Sequence, residues 1–261
     1  MLASASFLFG RKLATCMRVS LSIVSHGQGA LIAPLLADLM NAELGEAEVL
    51  VTLNIPENEF YLSSTDITVS RVIRNMRPRG FGANHNRAFE LSKGDYFVVL
   101  NPDLRVVQLT LQPLLDLFAD PGVACVGPRI DDPHGQATDS PRRFPTLWRL
   151  AQRVLRERKG PDEPPPSEPA AVDWVGGMFM VFRRETFARF GGFDERFFMY
   201  MEDVDICRRA RDHGLQVVYQ PAVRVVHEAQ RRNRRNWLHL SWHLRSLARY
   251  LLLYRVTHRW H

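Results

Sequence analysis

Residues 19–53 read VSLSIVSHGQGALIAPLLADLMNAELGEAEVLVTL. The run at 19–25 is rich in β-branched residues and ends in a glycine-containing turn, which is typical of a strand. Leucines then recur with helical spacing across 30–40, at Leu31, Leu35, Leu36 and Leu39. A second strand-like run follows at 48–53. Strand, turn, helix and strand in this order predict a βαβ unit, and therefore a parallel sheet.

The rest of the chain extends this pattern. Strands are predicted at 69–73, 96–100, 123–127, 217–219 and 223–226, and helices at 83–91, 109–118, 149–158, 184–190, 203–213 and 237–259. The strand at 96–100 reads YFVVL, the continuous apolar run expected of a strand buried on both faces. The predicted fold class is α/β, with a central, mostly parallel sheet flanked by helices and a C-terminal helical tail.

The composition excludes several classes of protein. Of the 261 residues, 46% are hydrophobic, which is enough to bury one sizeable core. The three cysteines show no metal-ligand spacing, which argues against a disulfide framework and favours a reducing, cytoplasmic location. No apolar run is long enough to span a bilayer, and 1–16 lacks the charge order of a signal peptide.

Two acidic motifs and one histidine lie where chemistry can occur. The tripeptide NPD at 101–103 follows the most apolar strand, so its carboxylate is expected in the crevice at the carboxyl edge of the sheet. Alone, the tripeptide also suits a simple turn. Glu202 and Asp203 begin a helix, which fits a general base or a helix N-cap. His227 ends a strand and suits a metal only if it converges with Asp103 on one cation.

A pair of glycines interrupts the apolar run that follows a Pro-rich segment. The segment GPDEPPPSEP at 160–169 predicts an extended loop. The motif WVGG at 174–177 then places two glycines where a strand would continue. Glycine there permits a ligand or another backbone to approach closely, and a β-bulge is the structural alternative.

These motifs, in this order, resemble the inverting glycosyltransferases of family 2, especially their rhamnosyltransferase-like bacterial branch. The resemblance spans about 18–256. It rests on VSLSIVSHGQG at 19–29, GFGANHNRAF at 80–89, LNPDLRV at 100–106, WVGGMFMVFRRETFARFGGFDERFFMYMEDVDICRRARDHG at 174–214 and VVHE at 225–228. It implies the nucleotide-binding GT-A fold and a Mg²⁺ or Mn²⁺ cofactor. The implied reaction moves a sugar from a nucleotide diphosphate donor to a hydroxyl of a glycan or lipid-linked saccharide, in surface polysaccharide assembly.

The same resemblance implies roles for individual residues. Asp203 would deprotonate the acceptor hydroxyl, which then attacks the anomeric carbon in line and inverts its configuration. Asp103 and His227 would bind the metal. The implied donor-binding residues are Ser25, His26, Asn54, Asn86, Asn101 and Asp103, and the implied acceptor-binding residues are Trp174, Gly176, Gly177 and Glu202. The branch implies dTDP-rhamnose as donor, with UDP- and GDP-sugars as alternatives.

The sequence departs from the family pattern at two positions. The second strand of the family usually ends in an aspartate that contacts the nucleobase, whereas Leu53 stands there, with Asn54 and Glu57 as candidate substitutes. The metal motif begins with Asn101 in place of an aspartate. The replacement of the aspartate by Leu53 leaves an alternative function open: a degenerate transferase that binds a nucleotide sugar or a polyanion without turnover.

The chain is predicted to have three parts. An N-terminal extension at 1–17 precedes a catalytic domain at 18–228, in which 18–106 binds the nucleotide sugar and 107–228 binds the acceptor. A basic amphipathic helix follows at 229–261, where eight arginines occur and no acidic residue does. This tail is expected either to lie on an anionic membrane surface, peripheral to its inner face, or to pack on the domain.

Rival functions explain fewer of these features. A hydrolase or phosphotransferase would need a nucleophile or a phosphate-cradling loop, and the chain contains neither GxSxG nor GxxxxGK[ST]. A nucleic-acid-binding module would use the basic tail. It would leave the acidic motifs without a role, so no nucleic-acid partner is expected.

Overall fold

The computed structural model describes residues 18–63, 69–106, 109–137, 141–149, 164–228 and 237–254. Its strands are β1 (Arg18–Ser25), β2 (Glu46–Leu53), β3 (Arg71–Arg74), β4 (Tyr96–Leu100), β5 (Leu104–Arg105), β6 (Val123–Asp131), β7 (Ala170–Val172), β8 (Phe179–Arg183) and β9 (Gln216–His227). Its α-helices are α1 (Gly29–Met40), α2 (Phe60–Ser63), α3 (Phe81–Leu91), α4 (Gln112–Leu115), α5 (Arg184–Arg189), α6 (Glu202–Asp212) and α7 (Trp237–Leu253).

The described strands form one sheet in the order β3-β2-β1-β4-β8-β6-β9-β5, with β7 paired to β9. Strands β1 to β4 are mutually parallel, as the βαβ pattern predicts. Beyond β4 the pairing is mixed: β8 runs antiparallel to both of its neighbours, β6 and β9 are parallel, and β5 is antiparallel to β9. The sheet is therefore parallel in its first half and mixed in its second, where the sequence predicts a mostly parallel sheet throughout.

The two faces of the sheet carry separate cores. Along β4, Tyr96, Val98 and Leu100 pack on the face covered by α1, whereas Phe97 and Val99 pack on the face covered by α5 and α6. Side chains alternate between the faces of a strand, so a strand with a core on each side must be apolar at every position. This confirms the prediction that the run at 96–100 is buried on both faces.

Two elements that contain a proline differ from the sequence prediction. The helix predicted at 109–118 is instead the short helix α4 followed by a 3₁₀ helix at Asp116–Ala119. Pro113 lies in the first turn of α4, the part of a helix that tolerates a residue without an N–H group. The two strands predicted at 217–219 and 223–226 are one strand, β9, whose register shifts in the stretch that contains Pro221.

The tail prediction is met in part. Helix α7 begins at Trp237 and ends at Leu253, and it packs on the domain through the buried side chains of Ser246 and Tyr250. The N-terminal extension at 1–17, most of the helix predicted at 149–158, the first residues of the Pro-rich loop and the rest of the tail lie outside the described residues. Within the described part of the chain, no helix combines the length and the apolar character needed to cross a membrane.

Candidate active site

Parallel strands bring the predicted donor-binding residues to one edge of the sheet. Ser25 at the end of β1 is in register with Leu53 at the end of β2, and Ile23 of β1 is in register with Leu100 of β4. The loops after β1, β2 and β4 therefore leave the same edge. This is the edge at which open α/β sheets bind their ligands.

Asp103 and His227 meet beyond this edge. The pairing of β5 with β9 places Leu104 opposite His227, and the Nε2 atom of His227 lies 3.0 Å from Oδ2 of Asp103. Both side chains are largely buried, with 16% of Asp103 and 18% of His227 exposed. The convergence of these two residues, 124 positions apart, is the geometry on which a metal role for His227 depends.

The pair is a chemically suitable partial shell for a divalent cation. The second carboxylate oxygen of Asp103, Oδ1, is buried and has no hydrogen-bond partner among the described residues. A carboxylate with an imidazole suits Mn²⁺ or Mg²⁺. The described residues contain no group of three or more histidine, cysteine or acidic side chains arranged to hold a metal. The remaining ligands would then come from a diphosphate and water.

Asp203 occupies the start of α6 and is held by backbone donors. The N–H group of Gly177 donates to its Oδ2 over 2.9 Å, and that of Val204 donates to its Oδ1 over 2.8 Å. Burial raises the pKa of the Asp203 carboxyl above its usual value, while these N–H groups and the charge of Arg142 limit the rise. A carboxyl with a raised pKa is a better proton acceptor at neutral pH.

The backbone before Asp203 has an uncommon conformation. Tyr200 and Met201 both have positive φ angles, of 71° and 70°, and they are the only non-glycine residues with positive φ in the described part of the chain. Such conformations cost about 1–3 kcal/mol each and cluster at functional sites. This backbone conformation immediately precedes Glu202 and Asp203, the first two residues of the helix. The residue types of Tyr200 and Met201 do not predict the positive φ angles.

The glycine motif fits against the predicted base. A Cβ atom on Gly177 would lie 3.3 Å from Cβ of Asp203 and 3.5 Å from its Oδ2, so a side chain there would crowd the carboxylate. Trp174 lies on the far side of the motif, where its indole donates to the carbonyl of Arg143 over 3.0 Å and its ring faces the Arg142 guanidinium.

Asp203 and Asp103 are connected by a short path of backbone contacts. Gly177 donates to Asp203, and the carbonyl of the next residue, Met178, accepts from the N–H group of Asn101 over 2.9 Å. Asn101 begins the motif that contains Asp103. The predicted metal ligand, Asp103, lies in the segment after β4. The predicted base, Asp203, is bound by the segment before β8, and these two segments are hydrogen-bonded to each other.

Glu202, a predicted acceptor-binding residue, is buried at the start of α6. It is 5% exposed, and its Oε2 has no hydrogen-bond partner among the described residues. Burial, followed by the nearby charges of Asp203 and Asp205, raises the pKa of the Glu202 carboxyl well above its usual value. The carboxyl groups of Glu202 and Asp203 are thus close enough to influence each other electrostatically, and the acceptor-binding role of Glu202 stays a prediction.

Glu57 organises the turn after β1. Its carboxylate accepts hydrogen bonds of 2.7 Å from the Ser25 hydroxyl and from the N–H group of Gly27, and one of 2.6 Å from the Tyr61 hydroxyl. Ser25 in turn accepts from the N–H group of Gln28 at the start of α1. Both carboxylate oxygens therefore accept hydrogen bonds from within the protein, and Glu57 fixes the conformation of the turn that contains Ser25 and His26.

Asn54 has a similar structural role. Its amide nitrogen donates to the carbonyl of Arg79 over 2.9 Å and lies 3.2 Å from Nδ1 of His26. Its oxygen accepts from the N–H group of Arg79 and from the Asn75 side chain. Leu53 beside it is buried in the core. These contacts orient His26. Asn54 and Glu57, the candidate substitutes for the family's aspartate, thus both use their polar groups in hydrogen bonds within the protein.

Asn86, another predicted donor-binding residue, makes its hydrogen bonds to the turn at Phe193–Glu195. Its side chain accepts from the N–H group of Phe193 and donates to the carbonyl of the same residue, each over 2.8 Å. It also contacts Glu195. Asn86 therefore anchors the turn that precedes the aromatic run 197–200. In the motif GFGANHNRAF, Asn86 thus stabilises this turn. The other asparagine of the motif, Asn84, forms hydrogen bonds with Asn75 and Arg79.

A model of the family described as "Glycosyltransferase like family 2" matches residues 35–247. The chain belongs to glycosyltransferase family 2. The match spans the predicted metal ligands, the predicted base and most of α7. The resemblance to this family, inferred from the motifs, is confirmed.

Several curated proteins are similar to this glycosyltransferase. It is 35% identical over 171 residues to an N-acetylglucosaminyl-diphospho-decaprenol L-rhamnosyltransferase of Mycobacterium tuberculosis, covering 58% of this chain and 53% of that protein. It is 30% identical over 258 residues to the rhamnosyltransferase WbbL of Escherichia coli (strain K12), covering 91% of this chain and 94% of that protein. The chain thus spans about half the length of the mycobacterial relative and nearly all of WbbL.

Solved structures share the fold. The structure of GalNAc-T7 with UDP, GalNAc and Mn²⁺ superposes with a TM-score of 0.64 at 18% identity, covering 92% of this chain and 48% of that one. The mannosyltransferase PcManGT of Pyrobaculum calidifontis, in complex with GDP-Man and Mn²⁺, gives a TM-score of 0.62 at 17% identity and covers 90% and 65%. The predicted GT-A fold is confirmed.

Proposed function

We propose that this glycosyltransferase transfers rhamnose from a nucleotide diphosphate donor, with inversion, to a hydroxyl group of a glycan or lipid-linked saccharide in surface polysaccharide assembly. The rhamnosyltransferase names of relatives at 30–35% identity support the sugar. The observation that supports the proposal is the backbone path from Asp203 through Gly177 and Met178 to Asn101, because it links the proposed base to the motif that contains the proposed cation ligand, Asp103.

Asp203 is the proposed base. Two backbone N–H groups fix its carboxylate, so one rotamer is held ready to accept the proton of an acceptor hydroxyl. Burial raises the pKa of its carboxyl group and so favours proton acceptance. Trp174, Gly176 and Gly177 border the proposed acceptor side, and the absence of a Cβ atom at Gly177 leaves room next to the carboxylate.

Asp103 and His227 are the proposed ligands of Mg²⁺ or Mn²⁺. A bound cation would neutralise the charge that develops on the diphosphate leaving group. The buried, unpartnered Oδ1 of Asp103 and the adjoining imidazole supply suitable ligand atoms. Asn101 begins the same motif, and the turn formed by Ser25 and His26 at the neighbouring strand end is proposed to hold the nucleotide.

We propose a cytoplasmic location, with the tail able to touch the inner face of the membrane. The face of α7 that points away from the domain exposes large apolar side chains, among them Trp237, Leu240, Leu244 and Leu252. An exposed apolar face with arginines beside it suits an anionic lipid surface.

A degenerate transferase is the second candidate, and one observation favours it. The family's base-contacting aspartate is replaced by the buried Leu53, and Asn54 and Glu57 are engaged with protein groups. Such a protein would bind donor weakly or without turnover.

A thermal-shift panel separates the two candidates. The protein is heated with dTDP, UDP, GDP, CDP or ADP, each with Mn²⁺, Mg²⁺ or EDTA. A ligand that binds only the folded state adds about 2.7 kcal/mol to its stability at a hundredfold excess over Kd. Stabilisation by dTDP that EDTA removes, followed by transfer from dTDP-rhamnose, is the expected result. Stabilisation by no nucleotide with either cation would contradict the proposed transfer.

A further inference from the structure

A groove lies between α7 and the segment that leads to Asp203. It has a volume of about 330 Å³ and is lined by Arg196, Phe198, Trp242, Arg245, Ser246 and Arg249. The groove is built into the packing of the tail on the domain. The Ser246 hydroxyl donates to the carbonyl of Met199 over 2.8 Å, and the Phe198 and Trp242 rings lie 5.1 Å apart.

The charge of the groove is positive and partly uncompensated. Arg196 is held by Asp194 through hydrogen bonds of 2.6–2.9 Å. Arg245 and Arg249, by contrast, have neither a hydrogen bond nor an ion pair within the described part of the chain. They are four residues apart, which places them on one side of the helix, and α7 contains no acidic residue. Two like charges this close repel each other unless an anion lies between them.

The groove lies next to the proposed base. The segment that forms its wall continues from Phe198 through Tyr200 to Asp203. On the helix side, burial lowers the pKa of His243 and the Asp203 carboxylate opposes that shift, so the imidazole is within electrostatic reach of Asp203. Arg249 is six residues beyond His243, about 9 Å along the helix axis at 1.5 Å per residue. An acceptor with its hydroxyl at Asp203 could therefore extend its other end into the groove.

We propose that this groove binds the diphosphate of a lipid-linked saccharide acceptor, with Arg245 and Arg249 as the principal contacts. The inference rests on the proposed function. Guanidinium groups bind phosphate oxygens through paired hydrogen bonds. The rings of Phe198 and Trp242 form the apolar wall beside the arginines. Leu244, Leu252 and Leu253 are exposed on the same helix, where a lipid chain leaving the groove would run.

A diphosphate fits the groove better than the headgroups of a membrane do. The arginines line a concave site that the Phe198–Trp242 pair closes on one side, whereas a membrane would meet a flat face. One wall of the groove, at Phe198, also lies five residues before Asp203, and an acceptor requires such proximity to the base whereas a membrane contact does not. Binding of anionic phospholipid alone is therefore the competing outcome.

The test uses the full chain and a soluble lipid diphosphate. Geranyl diphosphate is titrated calorimetrically in EDTA, so that a metal-bound donor site does not retain it. The variants are Arg245→Gln and Arg249→Gln. Arg71→Gln is the matched control, because Arg71 is exposed at the start of β3, the end remote from the site. We expect each groove variant to weaken binding about tenfold, and the control to bind like the unchanged protein.

The other outcomes overturn either the groove or the proposed function on which it rests. Equal affinity in all four proteins, or no binding by the unchanged protein, removes the groove as a diphosphate site. Variants that lose binding to phosphatidylglycerol vesicles but retain geranyl diphosphate would assign the arginines to the membrane. The nucleotide panel is independent of these variants. If nucleotides stabilise the protein but the arginine variants bind geranyl diphosphate normally, only the groove is rejected. If the arginine variants lose geranyl diphosphate binding but no nucleotide stabilises the protein, the transfer reaction is rejected.

Discussion

At the scale of single residues, two adjacent acids have different environments. Asp203 accepts hydrogen bonds from two backbone N–H groups, whereas an oxygen of Glu202 is buried without a partner in the described residues. The pKa of both carboxyl groups is raised, mainly by burial. Neighbouring acids in different environments can have different roles: here Asp203 would accept a proton, and Glu202 would influence the electrostatic potential around it.

Asp203→Asn should lower kcat at least a hundredfold, because a general base contributes roughly 10²–10⁴ to the rate. Donor binding, measured as the thermal shift with nucleotide and cation, should remain close to that of the unchanged protein. Asp212→Asn, in the last turn of the same helix, is the control and should retain activity. If Asp203→Asn retained most of its turnover, Asp203 would not be the base.

The pH dependence of kcat should report the raised pKa of Asp203. The base acts in its ionised form, so activity is present above its pKa and declines as the pH falls through it. Because burial raises this pKa, the decline should begin at a higher pH than an ordinary aspartate would give. A pH–rate profile with saturating donor measures this, and a decline confined to the usual aspartate range would contradict it.

Glu202→Gln should become more stable than the unchanged protein as the pH rises. A carboxyl with a raised folded-state pKa contributes stability below its unfolded pKa and loses it as the pH rises through the folded value. Glutamine does not titrate, so the difference in the free energy of unfolding should grow by about 1 kcal/mol or more. Urea unfolding over a pH series measures it. Glu185→Gln, an exposed acid in α5, should show no such trend.

At the scale of elements, the loop after β2 supports the turn after β1. Glu57 receives hydrogen bonds from a hydroxyl of β1, a backbone N–H group of the turn and Tyr61 of α2. Gly27 has a φ of 72° within this turn, a conformation that favours glycine. The conformation of the proposed nucleotide-binding turn therefore depends on a residue from another loop.

Glu57→Gln should destabilise the protein by about 1–2 kcal/mol, because charge-assisted hydrogen bonds to three partners are weakened at once. It should also weaken nucleotide binding. Glu59→Gln, two residues along the same loop, removes only an ion pair with the exposed Arg74 and should have no measurable effect on unfolding. Equal unfolding midpoints in urea for the two variants would contradict the proposed role of Glu57.

At the scale of the whole molecule, the site joins both halves of the sheet. Asp103 follows the last parallel strand, and His227 ends β9 in the mixed half. Strand β8, antiparallel to β4, brings Met178 against Asn101, at the start of the motif that contains Asp103. The proposed donor and acceptor sides are thus parts of one continuous sheet.

Asp103→Ala should weaken nucleotide binding only when a divalent cation is present. In EDTA the unchanged protein and the variant should show the same thermal shift, because the carboxylate would act through the cation. Comparing the shifts with Mn²⁺ and with EDTA measures this difference. Equal weakening in both conditions would mean that Asp103 contacts the nucleotide without a metal.

Local patterns in the chain were enough to predict the βαβ unit, the doubly buried β4, and α6 with its leading acids, whereas the family was inferred from the resemblance of several motifs in a fixed order. Each of these elements depends on the residue types of near neighbours, through periodicity and turn chemistry. The meeting of Asp103 with His227, the engagement of Glu57 and Asn54, the anchoring role of Asn86 and the docking of α7 could not be predicted in this way. They depend on strand order and register, which bring together side chains that are distant in sequence, and a shift of one residue in register would turn those side chains to the other face.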